Sequence, residues 1–343
     1  MAIVASNLAD VFLSVILPRP SGIRYRFSAR MVRITWALWT KAALRIPDSE
    51  RREDALGAYA PLALVGFLLM WGTGLIVGYG LIFYGLRFDI RPAPDFGAAL
   101  YYAGTSFLTI GYGDYVATTG WSRFLSLMAG GNGFAVVAIL TSFLFSIFGA
   151  FSARENFVVT FGVRGGAPPS GVTLLETYAR LGMTPADLDQ VFEEGLRWSA
   201  AVLESHLAYP ILAYFRSSHD YESWVGVLGA LLDASTLKLT LVDGGGVGHA
   251  KLVNEMGRHL VRDLASYFRF ETGDNPGVER HEFDTARRRL LDAGLPVRET
   301  DDAWEKFVAL RSAYATPLNS MASFFRIPPA QWVGDRSYLS HPH

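Results

Sequence analysis

Two long stretches of this chain carry no charge at all: residues 55–86 and residues 124–153 hold no Asp, Glu, Lys or Arg. A segment of this kind is stable in hydrocarbon only if every backbone polar group is bonded within it, which selects a helix. About 20 residues suffice to cross a bilayer core, and both stretches exceed that. We therefore expect spanning helices at 58–84 and 122–153. Charged residues make up 18% of the chain, against about 25% in an ordinary soluble domain, and the deficit is concentrated in these two places. From Arg154 onward the composition is that of a soluble domain. The chain reads as a short membrane part followed by roughly one soluble domain.

Between the spans, residues 87–121 contain Pro92, Pro94 and an apolar run, 96–109, too short to cross. Such a segment between two spans predicts a re-entrant element. The first span, with Pro61 near its start, carries Gly66, Gly72, Gly74, Gly78 and Gly80, which permit close helix contact. Before it lies a basic segment, 21–52, with Arg24, Arg26, Arg30, Arg33, Lys41, Arg45, Arg51 and Arg52 interleaved with Trp36, Trp39 and aliphatic residues. This pattern suits an interfacial helix on anionic lipid, the alternative being a soluble basic arm. The excess of basic residues there predicts a cytoplasmic N-terminus, and an even number of crossings returns the C-terminus to the cytoplasm. Only residues 1–18 precede these arginines. That leaves no room for the helix bundle a voltage sensor needs. Residues 1–18 also lack the basic start and cleavage site of a signal peptide.

The segment between the spans ends in Ser106-Phe107-Leu108-Thr109-Ile110-Gly111-Tyr112-Gly113-Asp114. A cation that crosses a membrane must exchange its water for oxygen ligands, and rings of backbone carbonyls provide them. Turning successive carbonyls to one side needs positive φ, which glycine adopts at little steric cost. Gly111 and Gly113 supply it. Thr109 adds a hydroxyl, and Ile110 and Tyr112 turn outward to pack.

The motif resembles the potassium-channel signature T-x-x-T-x-G-Y-G-D, and it sits, as in that family, between two spans after a short apolar run. The resemblance implies a pore helix near 96–108 and a selectivity filter at Thr109, Ile110, Gly111, Tyr112 and Gly113. The potassium ligands would be the carbonyls of Thr109, Ile110, Gly111 and Tyr112 with the Thr109 hydroxyl. Tyr101 and Tyr102 match the aromatic cuff, Ser106 a filter-supporting position and Asp114 the acidic outer mouth. Gly133 matches the hinge glycine of the inner helix, with Phe134, Val137 and Thr141 facing the cavity. Ser106 replaces a threonine, Leu108 stands where many members carry a second threonine, and Thr105 occupies a position acidic in some. One filter strand cannot enclose an ion and the chain holds one such motif, so a homotetramer is expected. The resemblance covers roughly residues 55–155.

Other signals leave alternatives open. Gly130-Gly131-Asn132-Gly133 fits a gating hinge or close packing, and Asn132 either an inter-helix hydrogen bond or the cavity wall. Phe145 and Phe148 fit an apolar constriction or lipid contact. The run 236–242 has strand-like composition, and Gly244-Gly245-Gly246-Val247-Gly248-His249 follows it without dinucleotide-binding spacing. Arg280, Arg287, Arg288 and Arg289 form a basic face, either solvated or turned to inner-leaflet lipid. His206, His219, His249 and His259 show no metal-ligand spacing. Net charge is −1 and cysteine is absent, which argues against nucleic acid and excludes disulfides and thiolate sites.

The expectation is thus an all-α membrane protein: two transmembrane helices with a re-entrant pore helix and selectivity filter, plus a helical cytoplasmic C-terminal domain. Residues 1–54 are the cytoplasmic N-terminus with its interfacial helix, 55–155 the pore domain and 156–343 the cytoplasmic domain, regulatory or for assembly. The function expected is passive potassium conduction in a plasma (inner) membrane, with potassium ions and no organic cofactor, and no enzymatic site. The alternative is a nonconducting scaffold whose pore module assembles the cytoplasmic domain.

Overall fold

The computed structural model describes residues 1–16, 27–217, 222–245, 247–298, 301–327 and 332. Pro18, Arg24, Arg26, His219 and Gly246 lie outside them. The chain divides into two compact units, Met1–Phe148 and Gly149–His343. It is mostly helical, and two helices are long and apolar enough to cross a membrane.

In the first unit these helices are α3 (Ser49–Gly85) and α5 (Gly120–Gly165), and α5 continues into the second unit. Both outrun their uncharged stretches. Asp48 caps α3 by accepting the Arg51 N–H at 2.9 Å, so the helix starts in charged sequence and Pro61 falls inside it rather than at its start. Loss of charge marks where lipid can sit; capping marks where a helix begins. Likewise α5 runs past Arg154 to Gly165, beyond the expected end at 153.

Two shorter helices lie along α3. Helix α1 (Ala2–Val11, continued as a π turn over Phe12–Ile16) places Val4 against Gly78 and Asn7 against Gly74. Helix α2 (Phe27–Ala43) follows lower down. Its Trp39 Nε1 donates to the Ala55 carbonyl at 2.7 Å, and the Tyr59 hydroxyl donates to the Val32 carbonyl at 2.8 Å. The tryptophans of α2 pack on α3, with Trp36 and Tyr59 edge to face at 4.8 Å.

Helix α4 (Phe96–Phe107) is capped by Asp95, whose carboxylate accepts the Ala98 N–H at 2.7 Å. It packs on α3 where Gly80 leaves room for Leu100. The short strands β1 (Ile90–Arg91) and β2 (Val116–Ala117) pair antiparallel. They pin together the two ends of the segment that carries α4 and the signature motif, and the Thr118 N–H adds a bond to the Asp89 carbonyl at 2.9 Å.

The second unit contains α6 (Gly171–Arg180), α7 (Pro185–Ala208), α8 (Trp224–Thr240), α9 (Val247–Phe268), α10 (Arg280–Asp292), α11 (Asp301–Ser312) and α12 (Ala315–Phe325). Helix α7 begins at Pro185 behind a Thr184–Asp187 capping box, as that tetrapeptide predicts. The strand expected at 236–242 is instead the end of α8. This helix is buried on all sides, every residue but Leu239, so its sequence shows no helical stripe and resembles a buried strand. Its Thr240 hydroxyl bonds back to the Thr236 carbonyl at 2.8 Å. Only Val242 takes part in a β-bridge, with Val297.

Two buried polar clusters organise this unit. Asp233 of α8 accepts from Arg311 Nε at 2.9 Å and from the Tyr314 hydroxyl at 2.6 Å. Burial, reinforced by the Asp233 charge, pushes the Tyr314 phenol well above its ordinary value. In the second cluster Arg154 bonds to Glu155 at 2.8 Å and to the carbonyls of Leu212 and Phe215 at 3.0 and 2.9 Å, and its Nη1 lies 3.3 Å from His206 Nε2. His206 Nδ1 faces the Val202 carbonyl at 2.9 Å. A carbonyl only accepts and a guanidinium only donates, so the ring is neutral with its proton on Nδ1. Burial, and next the Arg154 charge, hold His206 well below the usual imidazole range.

Candidate functional site

The signature residues form an exposed turn directly after α4, from Leu108 to Asp114. Three of them adopt left-handed backbone: Thr109 (φ 58°), Gly111 (φ 59°) and Gly113 (φ 82°), while Ile110 and Tyr112 between them do not. The glycines meet the expectation from their chemistry. Thr109 is the surprise, since a β-branched residue at positive φ is strained. Nothing in the sequence marks it except its place two residues before Gly111 in the same alternation.

The turn is held by its donors. The N–H groups of Leu108 and Thr109 donate to the carbonyls of Gly104 and Ser106 at 2.9 and 3.1 Å. Those of Ile110 and Gly111 both donate to the Thr105 carbonyl, at 2.8 and 3.3 Å. The otherwise unpaired carbonyls at the end of α4 are thereby satisfied. Among the described residues no group donates to the carbonyls of Thr109, Ile110, Gly111 or Tyr112. The sign of φ thus alternates from Thr109 to Gly113.

Around it, the Tyr101 and Tyr112 rings stack at 6.4 Å with an interplanar angle of 2°, and Tyr115 meets Tyr101 edge on at 6.2 Å. The Tyr101 hydroxyl also interacts with Asp114. Tyr102 is buried instead and bonds through its hydroxyl to Ser126 of α5 at 2.7 Å. Tyr101 and Tyr102 thus do different things: one backs the turn and the other ties α4 to α5. Thr105 is buried, and Leu108 is exposed at the cap of α4.

On α5 the glycine cluster sits against the end of α4. A Cβ at Gly130 would come within 3.2 Å of the Ser106 carbonyl oxygen, and one at Gly133 would overlap the Phe107 carbonyl, whereas Gly131 faces open space. Asn132 makes the inter-helix bond, donating to the Tyr79 hydroxyl at 2.6 Å. Phe134, Val137 and Thr141 lie further along α5. They are exposed on α5 and continue into Phe145 and Phe148, at helical spacing.

In the second unit a cleft between α5 and α7 contains Arg164 and Glu194, which pair with each other at 2.8 Å. Among the described residues no cluster of His, Cys, Asp or Glu has the arrangement of a metal site.

Residues 66–150 match a family model described as an ion channel. No curated protein and no solved structure is detectably similar to the chain. The matched segment takes in most of α3, all of α4, the turn and the membrane part of α5. The similarity to this ion-channel family rests on residues 66–150 of the chain.

Proposed function

We propose that the protein is one subunit of a homotetrameric, potassium-selective channel in which residues 109–113 form the selectivity filter. The observation that carries this reading is the row of carbonyls of Thr109, Ile110, Gly111 and Tyr112. They are exposed, have no donor, and follow a backbone of alternating hand. Four such rows about an axis give an ion stacked rings of oxygens in place of its hydration shell. The Thr109 hydroxyl adds the innermost ligand, and the C-terminal ends of four α4 helices direct negative partial charge at a cation below the filter.

The exposed stripe Phe134, Val137, Thr141, Phe145 and Phe148 supports the tetramer: on this reading it faces the axis as cavity wall and constriction. Gly133 acts by close packing against Phe107. Asp114 lies at the outer mouth, Tyr101 backs the filter tyrosine and Tyr102 with Ser106 supports it from behind. The second unit lies in the cytoplasm, and the membrane is the plasma (inner) membrane.

Rubidium uptake by liposomes that contain the full chain tests conduction. Reversal potentials in mixed potassium and sodium test selectivity. We expect uptake, abolished by Gly113→Ala, and a reversal close to the potassium value. A reversal near the sodium value would sink the selectivity claim. No uptake under any condition would favour an assembly role instead.

A further inference from the structure

We infer that α1 with the turn after it, residues 1–16, is a third membrane crossing, antiparallel to α3, with the Met1 end of the helix on the outer side. This rests on the reading of α3 as a span whose Gly85 end faces outward. The contacts run in register: Val4 lies on Gly78, Asn7 on Gly74, and Trp71 Nε1 donates to Asp10 Oδ2 at 2.8 Å. Each step forward on α1 is a matching step back on α3. A helix lying in the headgroup plane would cross a spanning helix at one turn; here the contact extends over two turns. It also falls in the uncharged part of α3, at Gly74 and Gly78, where the missing side chains let the two backbones approach.

The composition of α1 agrees. Asp10 is its one charged residue, and Phe12 is exposed, where acyl chains would cover it. At about 1.5 Å per residue, the helical residues from Ala2 to Ile16 reach about 22 Å, short of a full span of about 30 Å of hydrocarbon. A lone carboxylate is costly at this depth unless it is supplied with donors, and Asp10 is supplied. Besides Trp71, it accepts the Phe27 N–H at 3.0 Å, the Ser28 N–H at 3.4 Å and the Ser28 hydroxyl at 3.3 Å, which caps α2. In the sequence, Arg19, Arg24, Arg26, Arg30 and Arg33 all follow α1. The basic flank of a crossing lies on the cytoplasmic side, so the other end faces out. Among the described residues the crossings then number three. The C-terminal unit stays cytoplasmic, and the expectation of two cytoplasmic termini gives way to an outer start for α1.

The chain has no cysteine, so a single introduced thiol reports without background. Ala2→Cys, Phe88→Cys and Lys251→Cys replace exposed residues at the start of α1, in the α3–α4 connection and on α9. Each full-length variant would be treated in sealed membranes with an impermeant maleimide from either side. Ala2→Cys is expected to react from the same side as Phe88→Cys and opposite to Lys251→Cys. Reaction of Ala2→Cys from the Lys251 side, or from neither side while it reacts in detergent, overturns the crossing. Phe88→Cys and Lys251→Cys reacting from one side would remove the spanning reading, and this proposal with it. The labelling needs no conduction, so a chain that carries no rubidium still tests the topology.

Discussion

Gly133 of α5 lies so close to the carbonyl of Phe107 at the end of α4 that a single methyl group there would overlap it. The neighbouring Gly131 faces nothing within 4 Å. This contrast separates packing from hinge motion. Gly133→Ala should displace the end of α4 and with it the turn, lowering both rubidium flux and the melting temperature of the assembled protein. Gly131→Ala should gain up to about 1 kcal/mol of helix stability and preserve flux. If both variants gate abnormally with unchanged melting, flexibility rather than contact is the role of the cluster.

Tyr101 backs Tyr112 face to face. On the filter reading, Tyr101→Ala should loosen the packing around Tyr112. The expected result is a loss of potassium over sodium discrimination, read as a shifted reversal potential, at nearly normal expression. An unchanged reversal would show that the stack does not set the width.

The Arg154 cluster predicts a pH dependence of stability. His206 is neutral when folded and its pKa is depressed, so below the ordinary imidazole value near 6.5 the unfolded chain binds a proton that the folded chain refuses. Stability is therefore full above that value and falls as pH drops below it, by up to about 1.4 kcal/mol per pH unit, until the folded pKa is reached. Melting of the full chain between pH 7.5 and 5.5 should show this slope, and His206→Gln should flatten it. Any carboxylate contribution would persist in the variant and can be subtracted.

Tyr314→Phe removes the hydroxyl that donates to Asp233 at 2.6 Å. Leaving a buried carboxylate one donor short should cost about 1–3 kcal/mol, measured by denaturant unfolding. Arg311, which also holds Asp233, should keep the fold intact.

The spans and the turn were legible because their physics is local. Lack of charge over some thirty residues and glycines at alternate positions each speak without tertiary context. What escaped depended on partners far along the chain. The end of α8 read as a strand because a helix buried on every side has no polar face to give it a period. The place of α1 is not legible locally, because the donors that hold Asp10, Trp71 and Ser28, lie 61 and 18 residues away. The hydroxyl of Thr109 is legible in the sequence, but its backbone is not, because nothing in a threonine advertises positive φ.

The two bonds that Ile110 and Gly111 make to the single carbonyl of Thr105 have a consequence for how this turn can change. On the filter reading the oxygen atoms it presents belong, apart from the Thr109 hydroxyl, to the main chain, so no substitution of Ser106, Leu108 or Ile110 alters their number or kind. Side chains there can only adjust spacing and stiffness. The departures at Ser106 and Leu108 are therefore variations in tuning, and the turn is buffered against sequence drift everywhere except at the residues that set its handedness.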